Sequence, residues 1–582
     1  MIQLLSFHRR ILISKLQTED GTTRRLIRRF SRPQHKTFSS YRRVRIGNVE
    51  IPLGSTDGCD EDFLVPSRYL SNHERPKLAV NELAAILPSH SPTILKHLQW
   101  MMAKDSLQQD MLLIGPPGAG EVFRRRLALA YAEMTNKAIE ILPISGDLTE
   151  SDLKQRREIV QKGTIDGANP IYSTEIQFVD QAPVRAAKKG RILILDGIEK
   201  AERNVLPTLN NLLENREMHL EDGTMLLPSH RLEELSLSPQ QDNDLPLSSS
   251  FLKSVHPDFR VIALGVPSPP FAGRSLDPPL RSRFQIRRID NQSSEELYEQ
   301  ILATTNNIDN QEDVELAKSC AILAGGMNGN EESFPSHRLN SLWKLMRDFP
   351  FESRRSIIQR VCPTIDNGAI DEDLFEDFKS TFDRNCKVSK VIDRDHHISR
   401  YIIKSITQSH EESSRAKVTL MLDPELQLAE TQDTCTFTYT TIGSHLNILE
   451  SLPHAVYTSS FRNSLAAMIQ EHSVGNDILL VSQKGEGKTI LAQEFAARLG
   501  YETHLFAMNT ETTSQNLLQR RSTDPSTGET RWEDSPLMRA ARGGDICVLD
   551  GIEKLRPDVL SSIQSLIVDR DIQLPDGQRA LR

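Results

Sequence analysis

Residues 191–223 read RILILDGIEKAERNVLPTLNNLLENREMHLEDG, and residues 546–577 read ICVLDGIEKLRPDVLSSIQSLIVDRDIQLPDG. Asp196, Glu199, Lys200, Arg216 and Gly223 of the first stretch fall on Asp550, Glu553, Lys554, Arg570 and Gly577 of the second, every pair 354 residues apart. Such self-similarity at a fixed offset marks an internal repeat. Each copy opens with an apolar run of strand length that ends in aspartate, then passes into a helical pattern. Strand and helix in alternation predict an α/β fold with a parallel, doubly wound sheet and its ligand at the strands' carboxyl ends. Upstream, residues 110–122 (DMLLIGPPGAGEV) face residues 477–489 (DILLVSQKGEGKT) at an offset of 367.

The second of these loops has the composition of a phosphate cradle where a strand meets a helix. Backbone amides around Ser482, Gly485, Glu486 and Gly487 are expected to surround the phosphates of ATP, Lys488 to reach the β/γ oxygens, and the Thr489 hydroxyl to hold Mg2+ together with Asp550. Ser482 stands where the motif begins with glycine, which is tolerable if its backbone avoids positive φ. The first loop keeps Gly115, Gly118 and Gly120 as residual nucleotide contacts. Glu121 replaces the lysine and Val122 the hydroxyl. Like charges 4 Å apart repel by about 4 kcal/mol at an effective dielectric near 20, so turnover at the first loop is not expected.

The full chain, 38% hydrophobic and 26% charged, contains no apolar run long enough for a membrane helix. Six scattered cysteines argue for a reducing compartment. Residues 1–45 hold twelve Lys or Arg against Glu19 and Asp20, the composition of an organelle transit peptide, with a nucleic-acid-binding arm as the alternative. Without that leader the chain is acidic, so no specific nucleic-acid partner is expected. Small β-hairpin modules are predicted at 46–75 and 411–450, nucleotide cores at 76–290 and 451–582, and a helical lid at 291–410 that includes a helix from Leu374. Residues 229–254 read as a solvated insertion. The Gln-Arg-Arg repeated at Gln155 and Gln519 is either a subunit-contact edge or a solvated basic turn. The acidic-histidine cluster at Asp393, Asp395, His396 and His397 reads as a solvated loop rather than a metal site.

The acidic strand, the helix after it and the hairpin from Met218 resemble the AAA+ ATPases of the MoxR, midasin and dynein type. The resemblance implies tandem AAA+ P-loop NTPase modules, ATP hydrolysis and assembly into a ring or with further modules. That family usually places glutamate directly after the aspartate, where Gly197 and Gly551 stand here. Glu199 and Glu553, three positions after each aspartate, could turn back toward the site, and Glu553 is expected to be the substitute base, its alternative being a helix-start carboxylate. Residues 276–284 (LDPPLRSRF) resemble the arginine-finger segment, so Arg283 is expected to act in a neighbouring site, with a surface ion pair as the alternative. Residues 256–267 resemble the sensor strand, with Val266 at its usual asparagine, and Arg338 is a lid-sensor candidate. The order of elements is similar to mitochondrial members that carry more AAA+ modules and a metal-binding adhesion domain, which implies the mitochondrial matrix. Ending at Arg582, directly after the second hairpin, the chain is expected to be a truncated form. A nucleotide-gated, non-catalytic scaffold is the competing reading.

Overall fold

A computed structural model describes residues 2–6, 43–53, 61–66, 91–166, 169–237, 251–304, 310–327, 334–362, 401–408, 416–422, 436–441 and 456–581. In the first module, five parallel strands lie in the order Gln285–Arg288, Met111–Ile114, Arg260–Gly265, Ile192–Asp196, Ile139–Pro143. Strands covered on both faces need apolar residues at every position, which is why the run Ile-Leu-Ile-Leu is continuous rather than alternating. Ile192 and Ile194 pack with Leu98, Phe123, Leu127 and Tyr131 on one face. Leu193 and Leu195 pack with Val184, Leu209, Leu212 and Phe284 on the other. The strands being parallel, the loop after Ile114, Asp196 and the end of Arg260–Gly265 share one edge.

The second module repeats this plan with Ile478–Leu480, Ile546–Asp550 and Thr503–Ala507. Between the first two of these strands runs Ile2–Ser6, antiparallel to both, with Ile2 opposite Leu480 and Asp550. In the first module, Arg260–Gly265 fills the same position. The leader therefore contributes a strand here, and residues 7–42 lie outside those described.

Helices Ser294–Thr304, Gln311–Met327, Leu339–Asp348 and Arg354–Val361 occupy the span expected as a lid. Their core is continuous with the second module, where Leu342, Trp343, Phe349 and Ile358 join one cluster with Leu465, Ile469 and Phe495. The span assigned to the lid needs correction at its end. Tyr401–Gln408 is a strand, the first of an antiparallel sheet with Ala416–Leu422 and Thr436–Thr441. Its Tyr-Ile-Ile-Lys-Ser-Ile-Thr run is rich in aromatic and β-branched residues, which favour the pleated state. The expected helix from Leu374 and the Asp393–His397 cluster lie outside the described residues. The expected solvated insertion is largely exposed where described but is not all loop, and residues 238–250 lie outside those described. Ser229–Leu237 is helical, and Leu252–Val255 pairs in parallel with Met225–Pro228. The predicted hairpin after the leader is present as Arg43–Ile46 and Val49–Pro52.

Gln-Arg-Arg opens a hairpin in each module, Gln155–Asp166 with Asn169–Asp180 and Gln519–Thr523 with Thr530–Asp534. The two hairpins meet. Trp532 Nε1 donates to Glu158 at 3.0 Å, Arg521 to the Arg157 carbonyl at 2.7 Å, and the Arg156 guanidinium lies 5.5 Å from the Trp532 ring. The repeated glutamines act within their own modules. Gln155 donates to Asp180 and Asp222, while Gln519 donates to Asp534 and Asp576. Of the two readings, the contact edge is the one the geometry carries, and it is an edge between modules of one chain.

A titratable contact joins helix Pro92–Ser106 to the sheet. Arg287 Nε donates to His97 Nδ1 at 2.7 Å. Burial first, then the Arg287 charge, lowers the His97 pKa to about 4, with Glu296 and Asp290 opposing. The folded pKa lies below the unfolded value of about 6.5, so the unfolded chain binds more protons between the two. The contribution of neutral His97 is therefore full above pH 6.5 and lost as pH falls toward 4. Calorimetry of the chain should show Tm falling between pH 7 and 5, and His97→Gln should flatten that slope.

Candidate nucleotide site

The second loop lies between strand Ile478–Leu480 and helix Lys488–Leu499. Gly485 and Gly487 hold φ of +93° and +81°, and no atom lies within 4 Å of where a Cβ would sit on either. The loop is thus an open cradle at a helix N-terminus, where unpaired amides and the helix dipole favour an anion. Ser482 is not among the residues of positive φ, so serine is accommodated without strain. Lys488 folds over the loop, its Nζ donating to the carbonyls of Ser482 at 2.9 Å and Gln483 at 2.7 Å and to Ser482 Oγ at 3.2 Å. Glu486 accepts from the Gln483 amide at 3.0 Å, so that amide is released to a ligand only when Glu486 swings away. Half-buried Thr489 opens the helix and half-buried Asp550 closes strand Ile546–Asp550. A hydroxyl and a carboxylate are hard oxygen donors, the set that suits Mg2+ with water completing its shell.

Glu553 lies in the short turn Ile552–Lys554 after Gly551 and is exposed. A hydrogen bond from its own backbone N–H holds its carboxyl below the usual range. Its counterpart differs. Glu199 is buried, accepts from the Val266 amide at 3.0 Å, and is pushed up chiefly by burial. Val266 thus serves the first module through its backbone, which no side-chain motif reveals.

The first loop is filled by side chains. A Cβ on Gly115 would come within 2.0 Å of the Ile289 carbonyl, and one on Gly120 within 3.1 Å of Arg124, Asn291 and Pro116. Gly118, at φ +69°, caps the helix Ala119–Thr135. Arg124 donates to the Pro116 carbonyl at 2.8 Å, and Glu121 faces Lys200 at 3.9 Å. Arg125, wholly buried, donates to Asp196 at 3.2 Å. Of the three glycines expected to touch nucleotide, Gly115 and Gly120 are packed against protein instead, whereas Gly118 is exposed.

Arg283 is half-buried and held within its own module by Glu214 and the Pro279 carbonyl. Arg338 donates to the Val361 carbonyl at 3.3 Å. Sequence reasoning missed one matched pair. Arg216 forms a two-pronged bond to Asp110 at 2.8 and 3.0 Å, and Arg570 forms the same bond to Asp477 at 2.9 Å for both. Each arginine has positive φ, and each aspartate immediately precedes a loop-bearing strand. All four positions repeat at the offsets read above, which was the available signal.

A family model described as AAA domain (dynein-related subfamily) matches residues 110–284 and 477–582. The chain is 36% identical over 543 residues to von Willebrand factor A domain-containing protein 8 of Mus musculus, covering 93% of this chain and 26% of that protein. It is 38% identical over 104 residues to protein NorQ of Paracoccus denitrificans, covering 18% of this chain and 38% of that protein. It therefore spans only a minor part of the length of each of these relatives. Among solved structures, the Thermotoga maritima RuvB Holliday junction branch migration motor overlaps 50% of this chain and 68% of its own at 16% identity and a TM-score of 0.26.

Proposed function

We propose that the chain, whose residues 110–284 and 477–582 match the AAA domain of the dynein-related subfamily, binds and hydrolyses ATP in its second module, as a remodelling AAA+ protein. The observation that carries this reading is the contrast between the loops. Gly485 and Gly487 leave the second cradle open under Lys488, whereas Arg124 and Ile289 crowd the first. Lys488 would exchange its bonds to loop carbonyls for phosphate oxygens. Thr489 and Asp550 would hold Mg2+, which supplies charge neutralisation on the phosphates. Glu553 would orient the attacking water, and Arg283, released from Glu214, would reach the site of a neighbouring module in a ring or array.

A second reading, nucleotide-gated assembly without turnover, is favoured by one observation. Exposed Glu553, with its carboxyl held low, is a weak proton acceptor. Glu553→Gln separates the two. The first reading expects ATP binding unchanged and Mg2+-dependent phosphate release lowered at least tenfold. Release equal in the variant and the unaltered chain would remove Glu553 from the mechanism, and binding with no release in either would favour assembly.

We also propose that residues 1–45 direct the chain to the mitochondrial matrix, supported by their basic, acid-poor composition. Removal of the leader on import would take Ile2–Ser6 out of the second sheet. A reporter fused to residues 1–45 should enter mitochondria, and a diffuse cytosolic signal would overturn the proposal.

A further inference from the structure

At matched positions the two loop helices differ in a correlated way. Where the second has Lys488, Thr489 and Ala492, the first has Glu121, Val122 and Arg125, each pair at the same offset of 367. The helical spacing sets Arg125 one turn beyond Glu121, so its side chain reaches back over the loop. There it donates through one nitrogen to Asp196 at 3.2 Å and through Nε to Asp569 of the second module at 2.9 Å. Arg126 donates to the other Asp569 oxygen at 3.0 Å. Burial pushes the Asp569 carboxyl up, but Arg125 and Arg126 outweigh it and hold the group below the usual range. His337, from the short turn before helix Leu339–Asp348, is half-buried beside this cluster, and burial with the adjoining arginine charges holds its pKa well below the usual value.

We propose that the first loop is a receptor for a carboxylate of the neighbouring module, Asp569, and has ceased to be a nucleotide pocket, with Arg125 as the counter-charge of Asp196 in place of a metal ion. Two arginines and two aspartates balance without any ligand. A triphosphate entering would have to displace Asp569 and approach Glu121. Beside these ion pairs and the hairpin contacts, carboxylate and amide side chains of one module also accept from backbone amides of the other. Asp558 accepts from the Gly146 amide at 2.9 Å, Gln573 from the Ile141 amide at 2.6 Å, and Asp147 from the Ser514 amide at 2.7 Å. None of these bonds involves residues 482–489 of the second loop, so the docking is expected not to depend on nucleotide there. Position 492 is alanine in the second module, which leaves Asp550 available to a cation. Asn215, the counterpart of Asp569 in the first module, is exposed.

The inference rests on the second loop being the nucleotide site only for its stoichiometry. Equilibrium binding of a slowly hydrolysed ATP analogue to the full chain should give one equivalent, weakened roughly 10- to 100-fold by Lys488→Ala. A second equivalent, or one that this variant retains at undiminished affinity, would overturn the proposal. Hydrogen exchange supplies an arm independent of nucleotide. Asp569→Asn should raise exchange at least tenfold across the facing hairpins, 155–160 and 519–523, and the ATP analogue should not restore protection. Unchanged exchange, or protection regained with the analogue, would overturn it. If Asp569→Asn fails to fold, Arg126→Gln removes one of the two donors and is read identically. A native chain that binds no nucleotide would sink the reading of the second loop, while the exchange arm alone would then decide this one.

Discussion

Lys488→Ala is expected to weaken ATP binding by the chain roughly 10- to 100-fold, because hydrogen bonds to a charged group contribute about 1.5–3 kcal/mol and each 1.4 kcal/mol is tenfold. The fold should survive. Among the described residues the Lys488 ammonium bonds Ser482 and Gln483 of its own loop, and that loop is exposed. Circular dichroism and Tm should therefore match the unaltered chain while titration with a fluorescent ATP analogue shows the loss. Lys488→Arg is an informative companion, since arginine retains the charge but needs a wider space than the compact ammonium fills. Undiminished binding by Lys488→Ala would show that the nucleotide does not depend on this cradle.

The second large effect concerns stability. Arg216→Met should destabilise the first module by about 3–5 kcal/mol, the range for stripping one partner from a buried ion pair. Asp110 is buried, and after the substitution it keeps, of the bonds described above and in the sheet, the one from the Val261 amide at 2.9 Å. Burial already pushes its carboxyl up, with Arg216 the leading opposing influence. Without Arg216 the folded pKa rises further above the unfolded one. The folded state then binds more protons in that window, so stability falls as pH rises through it. The deficit should be largest at neutral pH and partly relieved toward pH 4. Arg216→Gly should cost less than Arg216→Met, because φ of +58° strains any side chain with a Cβ. Urea denaturation at pH 7 and at pH 4.5 measures both comparisons, and equal losses at the two pH values would contradict the account.

The strands were legible because burial on two faces demands unbroken apolar runs, as in Ile192–Leu195 and Ile546–Leu549. The second loop was legible because the phosphate-cradle pattern gathers its glycines, lysine and hydroxyl into a few adjacent positions, 482–489. Tyr401–Gln408 was missed through counting it with a helical region. The strand's buried Tyr401 packs against Phe349, far away in sequence. The repeated Gln-Arg-Arg could not be resolved in sequence, since Gln155 and Gln519 hold their own modules together while Arg156, Arg157 and Arg521 meet across the interface.

By itself the sequence determined that the chain repeats an α/β nucleotide unit and that its loops differ, with Lys488 and Thr489 against Glu121 and Val122. Those features depend on residues close together in the chain, where spacing fixes which side chains share a turn. Only the tertiary structure decided what fills the first loop. Arg125 meets Asp569 across 444 positions of chain, and an ion pair between distant segments leaves no periodicity to read. The physical reason is that backbone geometry imposes local patterns, whereas the neutralisation of a buried charge depends on whichever segment packing brings alongside it.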